Sequence, residues 1–285
     1  MSLFFTEAEA PKVGVVIDEA LAEAIKAMVA EGLGTATSAA VFSVDEESGL
    51  AVRVADRVEY VESRRQANLE GIFRSAATHQ AVDAKSIGRP ENGWLGLFVA
   101  SAQDAESELE RDVWSQILAA EMLAPGAVAR RTLGFLREMD VWELEAFAEY
   151  VAFAFSFESG WRFMFEEDIA RREMWSYGRE IDITQQWVDI GLLSSQVSCI
   201  ESVSLRGLRI GYKSKWWQLI PDALGQVGES NEGKANALGY RKFTATGQQV
   251  ANAVKTKTFN GYARNVMQAL NGLDGFRFDA VEPPA

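Results

Sequence analysis

The residues of this chain with chemistry to offer are its cations, and they are unevenly placed. Between Leu205 and Thr258 stand nine basic side chains: Arg206, Arg209, Lys213, Lys215, Lys234, Arg241, Lys242, Lys255 and Lys257. Only three acids, Asp222, Glu229 and Glu232, share that segment, which therefore carries +6; the whole chain is at −13, so the remainder carries −19. Tyr212, Trp216, Trp217, Tyr240 and Phe243 lie among the cations. Cations interleaved with aromatics on a small fold can grip a phosphate backbone. The candidate contacts for a nucleic acid or another partner are Arg206, Arg209, Lys213, Lys215, Trp216, Trp217, Arg241 and Lys242. The competing expectation is that this basic end docks on the acidic remainder, within one chain or between subunits. Arg130 and Arg131 form a second, smaller pair that either contacts an anion or is simply solvated and ion-paired, the ordinary state of arginine.

Catalytic chemistry has little to build on. His79 is the only histidine and Cys199 the only cysteine. That removes Cys/His zinc sites and any site needing two imidazoles. Neither Cys199 nor any serine has a nucleophile signature around it. Gly228 to Ala235, GESNEGKA, matches the first seven positions of a phosphate-binding loop but puts Ala235 where the magnesium-binding Ser or Thr belongs. It reads as a surface loop. Glu121, and Glu166 to Asp168, are the carboxylates an enzyme would have to use; Glu166 to Asp168 precede Arg171 and Arg172 at salt-bridge spacing. No catalytic residue, metal site or cofactor is assigned.

Composition bounds the rest. Hydrophobic content of 48% and charged content of 24% fit a chain that can bury a sizeable core. A single cysteine fits a reducing, cytoplasmic compartment. The start, MSLFFTEAEAPKVG, lacks the features of a signal peptide. The charge-free stretch Gly32 to Val44 is thirteen residues, against the roughly 20 that a membrane-spanning helix needs.

The elements that position these residues read mostly as helices. Ile17 to Ala30 is an Ala-rich helix, and Leu50 to Ala77 a long charged one suited to self-association. Trp94 starts another. Asp112 to Leu136 reads as a helix ending near Leu123, a Pro125–Gly126 break, and a second helix. Asp140 and Glu143 have capping-box spacing. Val141 to Phe157 and Trp161 to Tyr177 read as further helices. From Asp182 a short helix precedes strands at Val197 to Leu205, Leu208 to Tyr212, Trp216 to Ile220 and Tyr240 to Thr244. Thr246 is placed to cap a helix through Val250 and Val254; Asn260 to Leu270 is another helix, and Gly275 to Ala285 a tail. The fold expected is mainly α, a multi-helix domain with a small C-terminal α/β unit resembling a winged helix. Its parts would be residues 1–45, 46–178 and 179–285.

Three blocks carry a family likeness: RRQANLEGIF (Arg64 to Phe73), WLGLF (Trp94 to Phe98) with VWSQILAAEMLAPGAVARRTLGFL (Val113 to Leu136), and KFTATGQQV (Lys242 to Val250). On these the chain resembles the bacterial domain-of-unknown-function 2806 family. The resemblance implies a mostly helical protein with a small C-terminal α/β unit and no established activity, of a kind carried by mobile-element or phage-defence loci. The function expected is that of a non-enzymatic interaction protein, a nucleic-acid-binding or docking component of such a system. The partners expected are DNA or RNA through the C-terminal unit, and a protein partner or a second copy, with no membrane. A protein-only oligomeric scaffold and a carboxylate-dependent enzyme are the alternatives.

Overall fold

The computed structural model describes residues 50–78, 88–177, 183–201, 207–220, 237–259, 261–273 and 276–284. The helix and the charge-free stretch expected before residue 45, His79, the GESNEGKA loop, Arg206 and Lys234 lie outside those residues. The chain divides into two compact units, Met1–Ala67 and Asn68–Ala285. The long helix α1 (Leu50–Thr78) belongs to the first up to Ala67 and to the second from Asn68. In the first unit Leu50, Val52, Val54 and Val58 are exposed apolar residues on this helix, and Arg65 pairs with Glu62.

In the second unit α1 ends by burying Ile72 and Ala76. Helices α2 (Asn92–Ala102), α3 (Glu108–Leu123), α4 (Arg130–Glu138) and α5 (Val141–Val151) follow. A reciprocal cap opens α3: Ser107 Oγ accepts from Glu110 N, and Glu110 Oε2 accepts from Ser107 N, at 3.1 and 2.7 Å. The helix stops at Leu123 because Pro125 excludes helical geometry at Ala124, which is extended, and Gly126 turns the chain at φ +90°. Glu121 is buried and accepts from Gly126 N at 2.7 Å and Val128 N at 2.9 Å. Trp94 Nε1 donates to Val128 O at 2.9 Å, and its ring stacks on Phe98, which meets Trp114 edge-on.

The next elements are β1 (Phe155–Phe157), β2 (Arg162–Phe165), α6 (Asp168–Ser176), α7 (Thr184–Asp189), β3 (Leu193–Glu201), β4 (Arg209–Tyr212), β5 (Lys215–Leu219), β6 (Ala237–Phe243), α8 (Ala245–Ala253), α9 (Tyr262–Leu270) and β7 (Phe278–Val281). The strands form one seven-stranded sheet, β3-β6-β2-β1-β4-β5-β7, antiparallel throughout.

This corrects the expected fold class. Helices are the more abundant element among the described residues, but they share the fold with a seven-stranded antiparallel sheet, so the class is α+β and not mainly α, and no small C-terminal winged helix is evident. The error lies in FSFESGWRFMF. Its dense aromatics read as helix, but α5 ends at Val151 and the two runs pair as a hairpin, Phe155 opposite Phe163 and Ser156 opposite Arg162. Gly160, at φ +81°, makes the turn. This hairpin is the middle of the sheet, so the later strands extend it on both sides. Similarly, the residues expected as a tail supply β7, which pairs with β5.

The sheet's faces follow from the alternation of side chains along each strand. Phe155, Phe163 and Phe165 pack together on one face, where Phe155 and Tyr212 also meet Tyr262 of α9. Phe243 on the opposite face meets Phe147 of α5. Helix α8 is capped by Thr244, not Thr246: Thr244 Oγ1 accepts from Gly247 N at 3.0 Å and donates to Gly191 O at 2.7 Å. At Gly247 a Cβ would stand 1.9 Å from Leu192 O, so only glycine fits. Gln248 Oε1 accepts from Arg162 N, and Gln249 binds the α3–α4 turn through Ala127 O, Ala129 N and the Thr132 hydroxyl.

Two outcomes are expected. Gly247→Ala costs on the order of 3 kcal/mol or more in urea denaturation, because backbone must move to admit one methyl. The buried Tyr262 phenol is pushed well above the ordinary tyrosine value, first by burial and then by its neighbours Tyr212, Tyr150 and Glu173. A raised folded value means stability present below about pH 10 and lost as pH climbs from there. Tyr262→Phe therefore flattens the alkaline decline in a denaturation midpoint series.

Candidate nucleic-acid interface

The basic side chains do not form one uniform surface. Arg241 of β6 is committed internally: Nε donates to Glu166 Oε1 at 2.6 Å, and Nη1 donates to Ser194 O and Ser195 O at 2.7 and 3.0 Å. Its side chain is 13% exposed and that of Glu166 is 11% exposed. Arg171 also bonds Glu166, and Glu167 Oε1 accepts from Gly239 N at 2.8 Å. These carboxylates fasten β6 to the β2–α6 junction and leave Arg241 little freedom to reach a ligand. Glu166 and Glu167 precede α6, so the i,i+4 pairing expected along a helix becomes a link between a loop, a helix and a strand.

The remaining candidates sort by exposure. Trp217 is buried opposite Ile210 of β4. Trp216 is half-buried and lies on Gly211, whose place a Cβ would contest at 2.8 Å from the indole. Lys242 is exposed, with its ammonium 5.8 Å from the Tyr240 ring centre. Arg209 stands 3.5 Å from Glu158, an exposed pair of little energetic weight. Lys215 is exposed at the start of β5. Arg130 of α4 pairs with Glu91 at 3.0 Å across Gly93, and Arg131 is exposed beside it.

Lys213 is different. It sits with Ser214 in the two-residue turn between Tyr212 and Lys215, which face each other in the β4–β5 ladder. Its φ of +55° makes it the one non-glycine in the left-handed region among the described residues. Its Nζ donates to Thr256 Oγ1, just past the end of α8. Arg162 of β2 reaches the same stretch, with Nη1 on Asn252 Oδ1. The register explains the meeting. Arg162 faces Ser156 of β1, Ser156 faces Gly211 of β4, and Gly211 faces Trp216 of β5, so these residues share one face and Lys213 follows at the strand's end. Burial lowers the Arg162 value from its ordinary one; burial, then the nearby Arg162 charge, lowers that of Lys213. Lys255 pairs with Asp112 of α3, while Lys257 is exposed.

Arg162 lies outside the basic segment defined by sequence, and the aromatic density around it hid its strand. The signal that could have found it is the alternation on both sides of Glu158-Ser-Gly160, which is a hairpin pattern. Among the described residues no group of three or more His, Cys, Asp or Glu side chains could hold a metal ion. Among them, too, no helix is long and apolar enough to cross a membrane.

A family model described as a protein of unknown function, DUF2806, matches residues 52–267. The chain belongs to that family. Neither a curated protein nor a solved structure matches it. The DUF2806 span contains Arg162, Lys213, Asn252 and Thr256 and ends before β7, so the basic cluster lies within the family's region and the last edge strand outside it.

Because Arg241 is paired with Glu166 in a largely enclosed place, Arg241→Gln is expected to lower stability by about 2 kcal/mol in chemical denaturation, as a carboxylate stripped of one partner stays half-desolvated.

Proposed function

We propose that this chain is a non-enzymatic nucleic-acid-binding protein that holds a sugar–phosphate backbone along the β4–β5 turn and the end of α8. The observation that carries this reading is that Arg162 and Lys213, from different strands, both reach the end of α8 with only neutral oxygens, Asn252 Oδ1 and Thr256 Oγ1, as their side-chain partners. Neither cation has an ion pair among the described residues. Elsewhere in the basic segment Arg209, Arg241 and Lys255 are matched with Glu158, Glu166 and Asp112. A protein with a net charge of −13 gains nothing from long-range attraction to a polyanion, so any binding must be local. Lys215 and Lys257 flank Lys213 and Thr256 in sequence and are exposed. Lys257 extends the positive surface beside Thr256, and Lys215, opposite Tyr212 in the register, adds positive charge at the base of the same turn.

The expected result is binding of labelled single-stranded DNA or RNA, read by fluorescence anisotropy at about 50 mM salt, and weakening linearly in log–log form as salt rises. The double change Lys215→Glu with Lys257→Glu should weaken binding by more than about tenfold. No binding by the unaltered protein, or equal binding by the double variant, overturns the reading.

A further inference from the structure

Arg162 and Lys213 come from different strands and converge on the five residues from Asn252 to Thr256. We infer that Arg162, Lys213, Asn252 and Thr256 form a seat for a single phosphate group. This rests on the nucleic-acid reading but is narrower, since it assigns one phosphate to one place.

Hydrogen-bond accounting supports it. Among the described residues, Arg162 uses its main-chain N–H on Gln248 and Nη1 on Asn252, leaving Nε and Nη2 with donors to spare. Lys213 spends one ammonium hydrogen on Thr256 and has two more. Thr256 accepts from Lys213, so its own hydroxyl hydrogen can still be given away. Asn252 Oδ1 already accepts from Arg162 and from Gln248 Nε2, so its amide hydrogens are the part left to offer. Four side chains thus present donors, while the acceptors Asn252 Oδ1 and Thr256 Oγ1 are already engaged by Arg162 and Lys213. A phosphate has only acceptors at its anionic oxygens, which makes it the complementary group. It would also neutralise two cations whose charges oppose each other, Arg162 half-buried and Lys213 exposed at the turn.

The backbone supports the same assignment. A two-residue hairpin turn favours glycine or asparagine where φ is positive. Lysine at +55° costs local stability that glycine would not. Lysine stands there nonetheless, and its ammonium reaches Thr256 Oγ1 from this turn.

The decisive variant is Lys213→Gly, which deletes the charge while relieving the turn, so its melting temperature without ligand should equal or exceed that of the unaltered protein. Arg162→Gln is the second variant, with the backbone bond to Gln248 kept. Each protein is melted with and without inorganic phosphate at constant ionic strength, and single-stranded oligonucleotide binding is measured in parallel. Phosphate should raise the melting temperature of the unaltered protein, both variants should lose that shift, and oligonucleotide affinity should fall about tenfold in each. If phosphate shifts the unaltered protein and not the variants but no oligonucleotide binds, the seat stands for a free phosphate and the nucleic-acid reading falls. If phosphate gives no shift and the variants bind oligonucleotide as the unaltered protein does, the seat is wrong and the broader reading stands. A phosphate shift that persists in both variants also overturns the seat.

Discussion

The structure of the larger unit depends on keeping the turn between α3 and α4 satisfied while it is pressed against other elements. Val128 is buried, yet its N–H and C=O must both be paired. Glu121 supplies an acceptor to the N–H and Trp94 a donor to the C=O, at 2.9 Å each. Gln249 takes the next polar groups, Ala127 O, Ala129 N and the Thr132 hydroxyl. The turn is thus tied to its own helix, to α2 and to α8. The motif blocks WLGLF, EMLAPGAVARRT and TATGQQV are distant in sequence but are one assembly in space. Glu121, which has the chemistry of a catalytic acid, is used to hold backbone in place.

The same short segment of α8 carries that assembly to the sheet. Thr244 caps the helix and bonds Gly191, Gly247 lets the helix lie against Leu192, and Gln248 holds the β1–β2 hairpin at Arg162. Two adjacent glutamines therefore connect the helical half of the unit and the middle of the sheet. The far end of α8 then supplies Asn252 and Thr256 to the cluster with Arg162 and Lys213. A position set by packing at one end of the helix fixes the placement of polar groups at the other.

Charge sorting works at shorter range than the totals suggest. The segment's +6 is partly consumed by local carboxylates, with Arg241 held by Glu166 and two serine carbonyls. Aromatic residues among the cations divide likewise. Trp217, Tyr212 and Tyr240 are core, whereas Trp216 is half-open on the face shared with Arg162. A count of basic residues finds the neighbourhood but not the members, because a guanidinium in an ion pair and one without look the same in sequence.

The sequence by itself determined the local events. The end of α3 before Pro125, the Gly126 turn, α4, and strands near Leu208 to Tyr212, Trp216 to Ile220 and Tyr240 to Thr244 follow from backbone chemistry and alternation acting over a few residues. It also determined the family, since the three blocks are linear patterns. The alternation around Glu158–Gly160 hints that FSF and RFMF are strands, but a short apolar run has the same composition in a buried helix and a buried strand, and pairing in the sheet decided between them. Pairing likewise turned the expected tail into β7, and it brought Arg162, some fifty residues away in sequence, to Lys213 through the register of three strands. Proximity of that kind is a property of the sheet, and no local signal in either segment encodes it.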